Sequence, residues 1–278
     1  MKRVLKYFQR LQGNIKKNKK TFVIYVILQT FVIGVAIRQI WWGNYQAAVM
    51  CCLSLLLFLL PSFVEEQFKI DIPPLFEVII YFFIFAAEVL GEVGHFYVYF
   101  QGLDTVLHTI NGFLCAAIGF SMIDLLNRNS KNIKLSPFYL ALVAFCFSMT
   151  IGVIWEFFEF GTDMFLGQDM QKDFIVNSFQ SVTLDPENSQ HVVAVTDILS
   201  TVIHTASGDV IIENGYLDIG LIDTMKDLLV NLVGAIVFSL LGYFYAKGEA
   251  KKQMTATKIT AGFLVHSADE SDETSNVQ

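Results

Sequence analysis

The chain has few charged residues for its size, and this shortage limits the class of protein it can be. Only 16% of its 278 residues are charged, whereas soluble domains typically carry roughly 25%. A soluble globule of this length still needs a polar surface. Hydrophobic residues make up 54% of the chain, with 26 phenylalanines, and they occur in long runs. The composition therefore excludes an ordinary soluble domain and predicts a protein whose solvent is lipid.

Several motifs of common enzyme classes are also absent. The four cysteines, at positions 51, 52, 115 and 146, lie in apolar runs and form no CxxC pair, so we expect buried free thiols. No GxxxxGK[ST] loop is present, which excludes ATP-driven transport by that motif. The Gly-x-Ser-Gly and Pro-Ser-Gly-His motifs of two intramembrane hydrolase classes are missing. No basic domain follows the basic N-terminus, which argues against a nucleic-acid partner.

Six apolar runs are long enough to cross roughly 30 Å of hydrocarbon as helices. They cover residues 21–40, 46–63, 76–98, 105–125, 137–160 and 224–246. The first run ends in Arg38 and the Trp41–Trp42 pair without a small-residue cleavage site, so we interpret it as an uncleaved helix. The predicted fold class is an all-α membrane protein: a bundle of about six transmembrane helices with a small extracytoplasmic loop that contains a β-hairpin.

The basic residues predict the orientation of this bundle. With the N-terminus inside, 16 of the 19 Lys and Arg residues fall on the cytoplasmic side, as the positive-inside rule requires. The division is a basic cytoplasmic N-terminus (1–20), transmembrane helices one to five (21–160), an extracytoplasmic acidic loop (161–222), helix six (223–246) and a cytoplasmic tail (247–278). Two β-type runs around a glycine turn, within 201–212, predict the hairpin. Both termini are thus predicted to be cytoplasmic.

Polar side chains within or beside the last four spans form the candidate site. Each ionisable residue at mid-span costs about 2.5–3.5 kcal/mol on insertion scales, so those retained should face a bundle interior. Spacings of three and four place them on one face of each helix. The predicted metal ligands are Glu88, Glu92, His95, Asp104, His108, Asp163 and Asp223. The predicted catalytic residues are Glu156, Glu159 and Asp227, supported by Asn111 and Asn231.

The predicted topology places all of these groups in the outer half of the membrane, whereas the cytoplasmic halves of the same helices lack a comparable concentration. Carboxylate and imidazole ligands suit zinc or manganese. A hydrolytic site would use such a metal to activate water, with a neighbouring glutamate as general base.

Simpler roles are open for some of these residues. Asp104 and Asp223 could cap helix N-termini, and His95 and Glu159 could reach the headgroup region. The glycines at positions 112, 119, 234 and 242 are expected to permit close helix packing.

Three segments carry a resemblance to a known family. They are Leu-Asp-Thr-Val-Leu-His at 103–108, Trp-Glu-Phe-Phe-Glu at 155–159, and the stretch 215–227 followed by Asn231 and Gly234. Together they resemble the YjdF-like bacterial membrane proteins, whose function is unassigned, over roughly residues 75 to 246. A looser similarity to VanZ-like glycopeptide-resistance proteins maps Asp104, His108, Glu156 or Glu159, Asp227, Asn231 and Gly234. The resemblance implies a bacterial plasma membrane and an envelope-related role, and it supplies no reaction.

Three functions fit the sequence. The first is a metal-dependent enzyme acting at the outer leaflet on a lipid-linked or envelope substrate. The second is a secondary transporter or an ion- or proton-coupled permease, which should also have polar residues leading to the cytoplasmic side. The third is a non-catalytic membrane scaffold whose polar stripes serve helix association. The lipid bilayer is the one partner common to all three, and the oligomeric state is left open.

Overall fold

The computed structural model of the chain describes residues 19–68, 70–94, 96–100, 102–130, 135–249 and 266–267. Within them, six helical segments are long and apolar enough to cross a membrane. These segments are Lys19–Trp41, Tyr45–Gln67, Pro74–Gly91, Leu103–Asn129, Pro137–Leu166 and Leu221–Gly248. The prediction of a six-helix membrane protein is therefore confirmed.

The helices are labelled in chain order. They are α1 (Lys19–Trp41), α2 (Tyr45–Leu57), α3 (Leu60–Phe68), α4 (Pro74–Ile84), a π-helix (Phe85–Val93), α5 (Phe96–Tyr99), α6 (Leu103–Asn129), α7 (Pro137–Leu166) and α8 (Leu221–Glu249). The second span is divided between α2 and α3 because Pro61 has no N–H to continue the ladder, and a proline is tolerated in the first turn of α3. Helices α7 and α8 both extend beyond the predicted spans, to Leu166 and from Leu221.

The third span differs from its predicted form. A single helix over 76–98 was expected, whereas α4 passes into the π-helix and the chain turns at Gly94 before α5. The ring of Tyr97 packs on Gly91, where an added Cβ would lie 2.5 Å from it. The Tyr97 hydroxyl also donates to the carbonyl oxygen of Ala87 at 3.2 Å. These contacts hold the chain folded back, so the helix cannot continue to residue 98.

The chain divides into two compact units, one formed by residues 1–154 and 227–278 and the other by residues 155–226. In the first unit, the rings of Tyr25, Phe58 and Tyr81 form a buried cluster with centroids 5.3–6.4 Å apart. The short strands β1 (Ile70–Asp71) and β8 (His266–Ser267) pair antiparallel in the same unit. This pairing ties the C-terminal segment to the connection between the second and third spans.

Helices α6 and α8 approach each other at glycine. A Cβ on Gly112 would lie 2.1 Å from the carbonyl oxygen of Asn231, and one on Gly234 would lie 2.0 Å from that of Thr109. At Gly119 the nearest atom is Cβ of Phe147 and at Gly242 it is a ring carbon of Phe120, at 2.7 Å in each case. The predicted packing role of these four glycines is confirmed.

The four cysteines are all free, as expected, but they are not all buried. Cys51 is buried, whereas Cys52 and Cys146 are exposed on the surfaces of α2 and α7. In lipid an exposed helix face is apolar, so a thiol is accommodated there without burial in protein.

The second unit contains three antiparallel strand pairs. They are β2 (Ile175–Val176) with β7 (Tyr216–Leu217), β3 (Phe179–Ser181) with β4 (Val193–Val195), and β5 (Ser200–Thr205) with β6 (Gly208–Glu213). The β5–β6 pair is the predicted hairpin, with Ile203 opposite Val210 and Gly208 in the turn at φ 126°. Its β-branched residues suit extended backbone, and the hairpin prediction is confirmed.

Candidate functional site

Two aspartates and a histidine come together between α6 and α8. Asp104 and His108 lie one turn apart on α6, and the His108 Nε2 atom is 3.5 Å from Asp104 Oδ1. The same nitrogen is 3.8 Å from Oδ2 of Asp227 on α8. The side chain of Asp227 is 5% exposed and that of His108 12% exposed, while Asp104 is more open at 29%. These three residues, the Asp–His–Asp cluster, were all predicted as site residues.

A pair of amides joins the same two helices next to the cluster. Asn111, three residues after His108, donates from Nδ2 to Oδ1 of Asn231 at 3.2 Å. Asn231, one turn after Asp227, is 1% exposed, and its own Nδ2 reaches the sulfur of Met149 at 3.6 Å. This hydrogen bond fixes the register of α6 against α8, and the register in turn sets the position of Asp227 relative to His108.

The donor atoms of the Asp–His–Asp cluster fit a divalent metal. One ligand atom from each of the three residues lies within 4.8 Å of the others. Two ligands of a tetrahedral zinc ion at about 2.1 Å are roughly 3.4 Å apart, close to the observed separations. Three protein ligands with a fourth position left for water are typical of catalytic zinc sites. The same geometry also suits a protonated imidazole between two carboxylates.

Glu156 and Glu159 belong to the second unit and lie one turn apart near the C-terminal end of α7. Both are buried, at 4% and 7% exposed, and each offers a carboxylate oxygen within 4.8 Å of the other's. Trp155 donates from Nε1 to Oε1 of Glu159 at 2.7 Å, which orients that carboxyl group. Because Glu159 is buried, the expectation that it extends to the headgroup region is not supported.

The carboxylates of Asp163 and Asp223 are engaged by backbone. Asp163 accepts from the N–H groups of Met170 and Gln171 at 2.7 and 2.9 Å. Asp223 accepts from the N–H of Lys172 at 2.7 Å. These contacts favour a structural role in holding the segment 170–172, and the metal-ligand assignment of both residues stays a prediction.

Asp104 is not the N-cap of α6, so that simpler interpretation is wrong for this residue. Gly102 precedes the first turn of α6 and makes no side-chain bond, and Asp104 faces His108 instead. Asp223 is the third residue of α8, inside its first turn, and its Oδ2 atom accepts from the N–H of Lys172. Asp218 serves the start of α8, because its Oδ2 accepts from the N–H of Ile222 at 2.8 Å.

The predicted ligands of the third span have different outcomes. Glu88 is 2% exposed within the π-helix, but among the described residues it is not in a group of ligand atoms within 4.8 Å. A π-helix places residues i and i+5 in register, so the α-helical spacing used to align Glu88 with Glu92 does not apply there. The side chain of Glu92, and His95 altogether, lie outside the described residues.

A second polar pair was missed by the sequence analysis, which expected few polar groups toward the opposite ends of these helices. The hydroxyl of Tyr81 donates to Oε1 of Glu77 at 2.6 Å, and both side chains are buried in the first half of the third span. Nearby, Gln29 donates to the hydroxyl of Tyr25 at 2.6 Å. Each pair has the i, i+4 spacing, which was the signal available. These halves of the helices were expected to lack a comparable concentration of polar groups, and one buried pair in the third span does not contradict that expectation.

The acidic segment of the second unit contains carboxyl groups in contrasting environments. Burial raises the pKa of Asp173, and the negative charges of Asp169, Asp218 and Asp163 raise it further. Asp185 is the opposite case, because a hydrogen bond from the Ser189 hydroxyl and others from backbone N–H groups lower its pKa. These bonds close the turn 185–191.

Apolar spans that enclose a small cluster of carboxylate, imidazole and amide groups define a polytopic membrane protein with a buried polar centre. The chain belongs to the family described as predicted membrane protein (DUF2238), whose family model matches residues 21–248. The resemblance to YjdF-like proteins is consistent with that family. No curated protein and no solved structure matches the chain. The family description names no activity, so the function has to be argued from the site.

Proposed function

We propose that this chain is a multi-pass protein of the bacterial plasma membrane in which Asp104, His108 and Asp227 bind a divalent metal, zinc or manganese. The observation that supports this most directly is the position of His108 Nε2, within 3.8 Å of carboxylate oxygens from two helices. Two acidic side chains that approach each other in a low dielectric repel unless a cation or proton neutralises them. A bound metal would meet that requirement.

The proposed activity is metal-dependent chemistry at the outer leaflet on a lipid-linked or envelope substrate. When bound, such a metal would lower the pKa of a coordinated water and supply a nucleophile. Asp104 and Asp227 would hold the metal and His108 would complete the ligand set, while the Asn111–Asn231 pair keeps α6 and α8 in register. Glu156 and Glu159 supply the two carboxyl groups proposed to accept or donate protons, and Trp155 orients the second of them.

The proposed orientation has both termini in the cytoplasm. It is supported by the distribution of Lys and Arg, with 16 of 19 on the side assigned to the cytoplasm. In that orientation the Asp–His–Asp cluster lies toward the outer leaflet, where an envelope substrate would be met. The looser similarity to VanZ-like proteins maps the three cluster residues and implies an envelope-related role.

Metal analysis of the purified protein tests the proposal. We expect one equivalent of zinc or manganese per chain after equilibration with the metal and removal of excess ion. Replacing His108 with alanine should weaken binding at least about tenfold, because the loss of even an indirect partner of a metal ligand typically costs that much. Asp227→Asn should have a comparable effect, since its buried oxygen is one of the three donors.

The exposed pair of His204 and Asp209 provides a matched control. Their Nδ1 and Oδ1 atoms are 2.8 Å apart, but the side chains are 80% and 56% exposed, so His204→Ala should leave metal binding unchanged. Wild-type protein that binds no metal, or a His108→Ala variant that binds as tightly as His204→Ala, would contradict the proposal. That result would favour a protonated His108 between two carboxylates.

A further inference from the structure

The Glu77–Tyr81 pair is a buried polar centre that the proposed metal site does not use. Glu77 is 8% exposed and Tyr81 is fully buried, with a 2.6 Å hydrogen bond from the phenol to the carboxyl group. Glu77 precedes Glu88 by 11 residues, which corresponds to roughly 16 Å along a helix axis. The pair shares no residue with the Asp–His–Asp cluster.

The surroundings of this pair are apolar or acidic. Tyr81 is packed against the rings of Tyr25 and Phe58, at centroid distances of 5.3 and 5.9 Å. The carboxyl groups of Glu65 and Glu77 both lie within electrostatic range of the Tyr81 hydroxyl. Among the residues that the structure describes, no Lys, Arg or His forms an ion pair with Glu77.

A buried hydroxyl lies one turn from Glu65. Ser62 lies three residues before Glu65 on α3 and is 1% exposed, and its Oγ has no hydrogen-bond partner within the described part of the chain. A buried hydroxyl of this kind can donate or accept a further hydrogen bond. The face of α3 that carries Glu65 therefore has spare hydrogen-bonding capacity.

We propose that Glu77 and Tyr81 form a proton-binding site within the third span, in which Glu77 is held as a neutral acid at neutral pH. Oε1 of Glu77 accepts the Tyr81 hydroxyl, which leaves Oε2 to carry the bound proton. Release breaks the Oε2–H bond, passes the proton to water and leaves a carboxylate that still accepts from Tyr81. Ionisation without a cation is costly in this environment, so the neutral form is favoured until water enters.

A proton site here goes beyond the proposed metal chemistry and gives the protein a titratable group at each end of the third span. The position of Glu77 in the first turn of α4 has the opposite effect, because a helix N-terminus stabilises an anionic carboxyl group. This stabilisation is weaker than the cost of desolvating a carboxylate. An ionised Glu77 is the outcome that the experiment below must exclude.

Infrared spectroscopy of the full chain in liposomes tests the site. The C=O stretch of a neutral carboxylic acid is separate from the bands of a carboxylate, so Glu77→Gln should remove one such band per chain at neutral pH. Tyr81→Phe should keep that band but shift it to higher frequency, because the C=O loses its hydrogen-bond donor. A shift of this kind would not follow from a purely structural role of Tyr81.

Glu213→Gln is the matched control, since Glu213 is an exposed carboxyl group on β6 that takes no part in the Glu77–Tyr81 pair. Its spectrum in the acid region should equal that of the wild type. The proposal is overturned if Glu77→Gln, folded and monodisperse, has the same acid band intensity as Glu213→Gln. Metal content separates this result from the metal site, because Glu77→Gln should bind metal as the wild type does whatever the state of Glu77.

Discussion

Replacing Gly234 with alanine would place a methyl group where α6 and α8 are in direct contact. The added Cβ would lie 2.0 Å from the carbonyl oxygen of Thr109 and 2.8 Å from the N–H nitrogen of Phe113. Both atoms belong to helix backbone, so neither can rotate away as a flexible side chain would. The contact to Thr109 would have to lengthen to about 3.4 Å, which requires the two helices to separate.

The expected cost follows from this separation. Over-packing of a well-packed site typically costs about 1–3 kcal/mol, while alanine regains about 1 kcal/mol of helix propensity over glycine. Gly34 on α1 provides the matched control, because a Cβ there meets no atom within 4 Å. Gly34→Ala gains the same propensity without the clash. Gly234→Ala should therefore be less stable than Gly34→Ala by about 1–3 kcal/mol.

The assay is equilibrium unfolding of both variants in mixed micelles, compared at one detergent composition. Separation of the helices should also break the 3.2 Å bond between Asn111 and Asn231 and move Asp227 away from His108. Metal affinity of Gly234→Ala should therefore fall as well. If Gly234→Ala were as stable as Gly34→Ala, the close packing of α6 on α8 would be refuted.

Two further predictions concern an acidic turn of the second unit and the orientation of the spans. The pKa of Asp185 is lowered in the folded protein. The ionised carboxylate therefore stabilises the turn 185–191 fully above its unfolded pKa of about 3.9. This stabilisation is lost as the pH falls through the lower pKa of the folded protein. Pepsin should cleave this turn only in strong acid, while Asp185→Asn should be cleaved at higher pH; equal cleavage of both proteins would contradict the assignment. In intact cells, an impermeant maleimide should label Ser207→Cys in the hairpin turn. It should label Asn129→Cys, at the end of α6, only after the cells are lysed. The reverse pattern would invert the proposed orientation.

The spans and the hairpin could be predicted because their signals are local. Each membrane helix is specified by its own apolar run, and the hairpin by β-branched residues around Gly208. The cluster residues Asp104, His108 and Asp227 were also identified, because a charged residue is costly in a span and the i, i+4 spacing assigns it to one face. From the sequence, the polar faces of the last four spans were grouped into one site, but the contact of α6 with α8, which meet across more than 100 residues of intervening chain, was not singled out.

Other features depended on contacts that no local pattern encodes. The π-helix contains both residues that Tyr97 contacts, Gly91 through its ring and Ala87 through its hydroxyl, and single-residue propensities do not reveal these contacts. The structural role of Asp163 and Asp223 depends on the position of the backbone of residues 170–172, whose N–H groups donate to the two carboxylates. Glu77 lies close to the membrane boundary in sequence, and that position does not reveal its hydrogen bond from Tyr81, whose ring packs against Tyr25 and Phe58.

The short β1–β8 ladder has a consequence for how the polypeptide is threaded through the bilayer. Ile70 pairs with Ser267, and Asp71 with His266. Two segments that share a ladder must lie in the same aqueous compartment, so the chain between them makes an even number of crossings. The four candidate spans between residues 74 and 248 satisfy that parity. A reporter fused to the C-terminus would therefore lie in the same compartment as the linker between the second and third spans.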